Sequence, residues 1–403
     1  MTPHGRVAVR ASVLLCLAAC APLGAGPGGT TVPLPALSTF VRDPDTLPTI
    51  ASGRAGWPIT AVDPNVYVDD EGFHLFFSTI FCRRQQDHAY SWDPADLPGC
   101  DITHAILTIA YAFSSDQGLT WRFRHAPVVL PSDSGFDSTK IETADVFRLG
   151  DTLYLTYCAD GDRAGRKLAQ RFQIGLGNVV LGRRSVHDAL MDDSTRFARR
   201  VDPLLSYDLR PGRFDNNVQE PSVVVVHDSV VLYYIGLGLQ LPDQPIDAPG
   251  QGIQSVGLGR AVLDQHFNVV SRSASAILSG VNITEVRYRD ATYHLFATTL
   301  SAGESHQGEA ISYATSADGV TWTTPRVVLS PGSVPGFNDW GLMAPTAAFE
   351  GSRVVLFYTA FGSTPGACAP VVSGGRFGQP VAGGSRCMFA TIGRAVAAPP
   401  AGP

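Results

Sequence analysis

Five times along the chain, a short run of β-branched and aromatic residues is followed by a turn rich in Asp, Gly or Ser and then a second such run. The first instance is Asp63-Pro64-Asn65-Val66 leading to Phe73-His74-Leu75-Phe76-Phe77, and the second is Thr143-Ala144-Asp145-Val146 leading to Leu153-Tyr154-Leu155-Thr156-Tyr157. Glu220-Pro221-Ser222-Val223, Ile283-Thr284-Glu285-Val286 and Ala344-Pro345-Thr346-Ala347 open the other three. Period-two runs broken by turn residues predict β-hairpins. Successive hairpins start about 60 to 80 residues apart, which leaves room for four strands and their loops.

The remainder of each unit fits that plan. After the first hairpin, 105–113 predicts a third strand, and the turn Ser114-Ser115-Asp116-Gln117-Gly118-Leu119-Thr120-Trp121 leads toward a fourth near 127–130. The fourth unit repeats the pattern with a strand at 310–314, the turn Ser316-Ala317-Asp318-Gly319-Val320-Thr321-Trp322 and a strand at 327–329. Both turns resemble the Asp-box of sugar-processing propellers, in which Asp and Gly shape the turn and Trp covers the outer edge of the blade. No segment has a convincing amphipathic helical pattern, and the polar, Arg-rich stretch 160–200 reads as an elaborated loop over the funnel. The expected fold is all-β: a five-bladed β-propeller of four-stranded antiparallel blades. A strand from 38–43 alongside 388–394 is expected to complete the last blade, which removes an open sheet edge.

Composition narrows the classes. Of the 403 residues 44% are hydrophobic, enough for a folded chain, and 41 Gly with 29 Pro suit a turn-rich one. A formal charge of −6, with Lys140 and Lys167 as the only lysines, argues against a nucleic-acid surface. No apolar run reaches the roughly 18 residues of a spanning helix. Residues 1–20 read as an export signal, with Arg6 and Arg10 before an apolar stretch. The box Leu17-Ala18-Ala19-Cys20 resembles the bacterial lipoprotein signal, which implies lipidation of Cys20, an exported protein of the cell envelope and membrane contact only through that anchor. Residues 21–37 read as a flexible linker, 38–395 as one propeller domain and 396–403 as a disordered tail. In an oxidising compartment Cys82 can pair with Cys100 and Cys368 with Cys387, each stapling a long loop, which leaves Cys158 as a buried thiol. No Cys or His spacing reads as a metal site, and a monomer is expected.

In a propeller the first strand of each unit lines the central channel. Three of these strands begin with carboxylates: Asp63, Asp145 and Glu220. Two carboxylates across a polar funnel are the minimum for glycoside hydrolysis, one protonated to donate to the leaving oxygen and one ionised to activate water. The set resembles the five-bladed glycoside hydrolases of family 43 and their relatives, the arabinanases, arabinofuranosidases and β-xylosidases. Asp63-Pro64-Asn65-Val66 matches the blade-one base motif, Ala144-Asp145-Val146 matches the blade-two motif, and Glu220-Pro221 resembles the blade-three acid motif. The family usually spaces its Glu one residue further from Pro, a position filled here by Gln219, so Glu142 and Glu285 stand as substitute acids. The resemblance implies an inverting hydrolase of a carbohydrate substrate, with Asp63 as base, Glu220 as acid and Asp145 as the carboxylate that keeps the acid protonated.

Three other readings compete. A retaining fructosidase-like enzyme also begins with Asp-Pro-Asn, but carries Arg-Asp-Pro in blade two where this chain has Thr143-Ala144-Asp145. A sialidase would need a sixth blade. A non-catalytic propeller that binds sugar or a partner is the third, since the departure at Gln219 is what a lost active site would show. Trp340, just ahead of the fifth hairpin, is a candidate stacking platform for a sugar ring, with Trp57 and Trp92 as weaker ones. His74 and His294 hold the same repeat position and read as core or channel histidines rather than metal ligands. No cofactor is expected; some relatives hold a calcium in the channel, and nothing in this sequence fixes one.

Overall fold

The computed structural model describes residues 37, 40–42, 48–51, 57–161, 171–226, 229–244, 250–300, 306–333, 336–351, 353–362 and 389–397. Cys20, Cys368 and Cys387 lie outside the described residues, as does the side chain of Cys100.

Five antiparallel sheets are present, each with a path of four strands. Blade one runs Val62–Asp69, Gly72–Arg84, Cys100–Ser114 and Arg122–Phe123, and blade two runs Lys140–Leu149, Thr152–Asp160, Gln173–Val180 and Ala198–Arg199. Blade three comprises Asn217–Val226, Ser229–Leu239, Ile253–Leu263 and Val269–Arg272; blade four comprises Val281–Arg289, Thr292–Thr299, Ile311–Ser316 and Arg326–Leu329. Blade five takes Gly341–Glu350, Arg353–Gly362 and Phe389–Ala397 from late in the chain and Phe40–Arg42 from its beginning. The first strands of the blades adjoin one another in a closed ring around the channel. This is the expected five-bladed propeller.

The ends of the domain meet as the edge argument requires. Phe40 pairs with Ala397, Val41 with Val396 and Arg42 with Ala395. Because those pairs use Val396 and Ala397, the strand continues into the segment expected to be a tail.

Three local expectations need correction. The fourth strand of blade one is Arg122–Phe123, directly after the Asp-box, and 127–130 is not a strand. That segment instead bridges toward blade two: the Val128 N–H donates to the Ile109 carbonyl, the Phe197 N–H donates to the Val128 carbonyl, and Val128 and Val129 are buried. Stretch 160–200 supplies the two outer strands of blade two and a six-residue helix, Val186–Met191. Ser185 caps that helix by accepting the Asp188 N–H, while Val186, Ala189 and Leu190 face the core. Trp92 is not a platform: it is buried, donates from Nε1 to the Arg124 carbonyl and stacks on His125.

Other readings hold in detail. In the first Asp-box, Asp116 accepts the Thr120 N–H, and Gly118 sits at φ +82°, where a side chain would run into the Phe357 ring. Trp121 meets Phe357 of blade five edge-on and Trp322 meets Tyr233 of blade three, so each Asp-box Trp seals its blade to the preceding one. His74 and His294 are buried, each bonded to the Tyr hydroxyl one strand over, Tyr111 or Tyr313. Cys158 is a buried free thiol.

Candidate active site

The same backbone irregularity recurs in all five innermost strands. Pairing with the second strand slips at Asp63, Thr143, Glu220, Ile283 and Ala344, and each of these five residues has a positive φ between 39° and 55°. Left-handed backbone is unusual for any residue with a Cβ, and more so for β-branched Thr and Ile. Bulges of this kind redirect side chains, and four of the five residues, Asp63, Thr143, Ile283 and Ala344, line the channel cavity. The bulge backbone is tied to the blade before it. The Asp63 N–H donates to Thr359 Oγ1 at 2.8 Å, that of Thr143 to Ser78 Oγ at 2.9 Å and that of Ala344 to Thr298 Oγ1 at 3.0 Å. Cys158 fills the matching place next to the Glu220 N–H.

Two residues further along each innermost strand lies a second ring: Asn65, Asp145, Ser222, Glu285 and Thr346. It forms a circumferential belt, in which each side-chain oxygen accepts the backbone N–H of the residue after the ring position in the next blade. Asn65 accepts from Val146 at 3.1 Å, Asp145 from Val223 at 2.6 Å, Ser222 from Val286 at 2.9 Å, Glu285 from Ala347 at 2.5 Å and Thr346 from Val66 at 3.0 Å. Arg287 donates to Glu285 and to the Val66 carbonyl and lies 3.8 Å from Asp145, so one cation serves both belt carboxylates. The Asn65 amide donates to Asp145 Oδ1 at 2.7 Å. The belt joins all five blades around the channel.

The sequence-level candidates therefore separate into two groups. Asp63 and Glu220 come together at the bulge ring, joined by Glu142, which immediately precedes the Thr143 bulge. Asp145 and Glu285 belong to the belt and are partnered there. Lys140, 3.3 Å from Glu142, is the cation beside the bulge-level trio. On the opposite side of the ring Trp340, partly buried, packs with Met343, Ala344 and Phe361. His306 stacks flat on Phe361 at 4.9 Å and bonds to Glu309 at 2.9 Å.

Electrostatics divide the trio into roles. Burial first, and then the charge of Glu142, push the Asp63 carboxyl from 3.8 up to about 7. Burial pushes Glu220 well above the carboxylate range, with the charges of Asp63 and Glu142 adding to the effect. Glu220 Oε2 is buried and has no hydrogen-bond partner among the described residues. A buried carboxyl flanked by two carboxylates holds its proton, and Asp63, the lower of the pair, ionises first. The charges acting on Glu220 are those of Asp63 and Glu142, whereas Asp145 answers chiefly to burial and to Arg287.

Several of these contributors escaped the sequence reading. Ser78, Lys140, Cys158, His306 and Arg287 carry no motif. Aligning the second strands of the repeats would place Ser78, Cys158, Thr298 and Thr359 in one column, a small polar or thiol residue in four blades, with Ile235 in the same place in blade three.

A pH profile follows from these directions. Acid–base chemistry by this pair would need Asp63 ionised and Glu220 protonated, and the two titrate together in macroscopic steps. If the pair works so, the kcat/KM profile should fall on its acid side near pH 7, with its alkaline limb set by the raised Glu220 carboxyl. An optimum at pH 4–5 with activity declining toward neutrality would contradict it. Stability follows the opposite sense. A raised folded-state pKa stabilises below the unfolded value, and that stability is lost as pH rises from 3.8 through about 7. Asp63→Asn should therefore raise Tm at pH 8 and change it little at pH 4.

No family model matches the chain, and no curated protein matches it in sequence. Solved structures do match in fold. One described as a glycoside hydrolase is 12% identical over 89% of this chain and 93% of its own, with a TM-score of 0.58. Zg3597, a family 117 glycoside hydrolase produced by the marine bacterium Zobellia galactanivorans, is 15% identical over 89% of each chain, with a TM-score of 0.51. An N-acetylgalactosamine deacetylase from F. plautii is 14% identical over 89% of this chain and 95% of its own, with a TM-score of 0.52. The chain thus shares the architecture of propeller glycoside hydrolases. That architecture also carries a deacetylase, so the chemistry must be argued from the site.

Proposed function

We propose that the protein hydrolyses O-glycosyl bonds of an arabinofuranoside- or xyloside-like glycan with inversion at the anomeric carbon. Glu220 gives its proton to the leaving oxygen as the bond breaks. Asp63 takes a proton from the water that attacks the opposite face of the sugar. Glu142 is the third carboxylate, whose charge keeps the proton on Glu220, and Lys140 holds Glu142 in place. Trp340, partly buried against Met343, Ala344 and Phe361, is the aromatic surface on which a sugar ring can stack. The observation that carries this reading is the buried, unpartnered Glu220 oxygen beside Asp63, a proton donor whose acceptor is not a group among the described residues. Screening the purified protein with aryl arabinofuranosides, xylosides, galactosides and fructosides tests it. Release of aryl alcohol from at least one is expected, while binding of a sugar without release would favour a non-catalytic sugar-binding propeller.

The same reading takes the protein to be exported and anchored through a lipid on Cys20, with the pairs Cys82–Cys100 and Cys368–Cys387 oxidised. A multiply acylated end holds firmly where a single chain binds only marginally. Cys20→Ala should move the protein from the membrane fraction to the soluble fraction with its Tm unchanged. Equal membrane association of both forms would contradict the anchor.

A further inference from the structure

A turn of blade four is fastened onto the entry of blade five. Residues 306–309 meet the start of the innermost blade-five strand through two backbone bonds: the Gly308 N–H donates to the Trp340 carbonyl at 2.8 Å, and the Leu342 N–H donates to the Glu309 carbonyl at 2.9 Å. Gly341 lies between those bonds, and a side chain there would run into the His306 carbonyl. His306, with a φ of 53°, lies flat on Phe361, the rings 4.9 Å apart and 4° from parallel. Its Nδ1 is 2.9 Å from Glu309 Oε2, and the imidazole is 37% exposed where the Glu309 side chain is 9% exposed. Trp340 packs against the cluster that contains the same Phe361. Phe361 follows Thr359 by two residues on one strand and so shares its face, and Thr359 Oγ1 accepts the Asp63 N–H at 2.8 Å. The turn therefore fixes an imidazole and an indole together beside Asp63.

We propose that His306 is a sugar-binding residue, whose Nε2 hydrogen-bonds one hydroxyl of the ring that stacks on Trp340, and that Glu309 is the positioning residue that orients the imidazole for this contact. A carboxylate only accepts, so Nδ1 carries the hydrogen of the bond to Glu309 and Nε2 is the ring nitrogen left to meet a ligand. Neutral, Nε2 accepts; protonated, it donates. A hydroxyl both donates and accepts, so it suits either state of the ring, whereas a carboxylate suits only the protonated one and a cation only the neutral one. The stack on Phe361 and the bond to Glu309 hold the imidazole from two directions, so little rotamer freedom remains to be lost when the sugar binds. An aromatic face with one fixed polar contact beside it selects a ring by the place of a single hydroxyl.

This contact rests on reading the channel as a sugar site, and the test separates it from hydrolysis. The probes are methyl glycosides of xylose, arabinose and galactose with their monodeoxy analogues for binding, and the corresponding nitrophenyl glycosides for cleavage. The wild-type protein should bind one parent glycoside about 10-fold more tightly than one of its deoxy analogues, the net worth of a hydrogen bond to the missing hydroxyl. His306→Phe keeps a flat ring on Phe361 and removes both nitrogens. It is made together with Glu309→Gln, so that no carboxylate loses its imidazole partner. This double variant should lose about 10-fold in affinity for the parent and bind parent and deoxy analogue alike. His306→Gln, whose amide reaches about as far as Nε2, should recover part of both. In cleavage the loss should fall in KM rather than kcat, the mark of a contact made equally before and during reaction. Discrimination that is lost in the double variant and recovered in His306→Gln, with no probe cleaved, keeps the His306 contact and removes the glycosidase reading. Cleavage with wild-type KM and wild-type discrimination in the double variant removes the contact and leaves hydrolysis standing. Absence of binding to every probe also overturns the contact.

Discussion

Asp63→Asn should lower kcat/KM by about 10²–10⁴-fold on every substrate the protein cleaves, because a general base contributes in that range and an amide cannot take the proton of the attacking water. The loss should not depend on the leaving group, since water activation is needed whatever departs. The fold should survive. The backbone N–H of residue 63 still donates to Thr359 Oγ1, and replacing a buried carboxyl whose pKa is raised removes a burial cost at neutral pH. Reduced activity with an unchanged or higher Tm at pH 8 is the expected pair of results. A loss confined to substrates with poor leaving groups would mark Asp63 as the acid instead.

Glu220→Gln should show that leaving-group dependence. On glycosides with a basic leaving oxygen the loss should again reach about 10²–10⁴-fold, while on nitrophenyl glycosides, whose leaving group departs with little protonation, most of the rate should remain. The alkaline limb of the pH profile should vanish, since that limb reports deprotonation of Glu220. Glu142 provides the control. It faces the pair, but it is held by Lys140 at 3.3 Å, so Glu142→Gln should lower the pH at which Glu220 gives up its proton rather than abolish donation. If Glu142→Gln carries the leaving-group dependence and Glu220→Gln does not, the acid is Glu142.

Much of this arrangement could be read from the chain. The hairpins announce themselves because each combines a period-two apolar run with an Asp- or Gly-rich turn, and both Asp-boxes bring their own turn chemistry. The register was legible as well. Asp145 falls two places after the position of Asp63 and Glu220, and that offset is the separation between the bulge ring and the belt. What the offset means was not legible, because a belt side chain is satisfied by a backbone N–H of the next blade, and no local pattern encodes a bond across blades. Glu142 was named only as a substitute acid for the same reason. Its closeness to Glu220 goes with the slip in pairing at Thr143, which no local pattern announces. Part of stretch 160–200 misled through composition: Arg199 reaches the buried Asp137 and Arg200 donates to the Phe267 carbonyl, so these polar residues mark the outer strand of blade two, while 162–170 lie outside the described residues. Cys158 shows the limit most plainly. As a residue it reads only as a buried thiol, and its place beside the Glu220 N–H appears once three other blades show Ser or Thr in the same position.

The most direct test of the central claim is proton NMR of the sugar as it is released, recorded before mutarotation, on the best aryl glycoside from the substrate screen. An Asp63 base that activates water and a Glu220 acid that protonates the leaving oxygen require a product of opposite anomeric configuration to the substrate, with formation slowed by about 10²–10⁴-fold in Asp63→Asn. A first-formed product with the substrate's own configuration, or hydrolysis that persists at the wild-type rate in Asp63→Asn, would contradict the account.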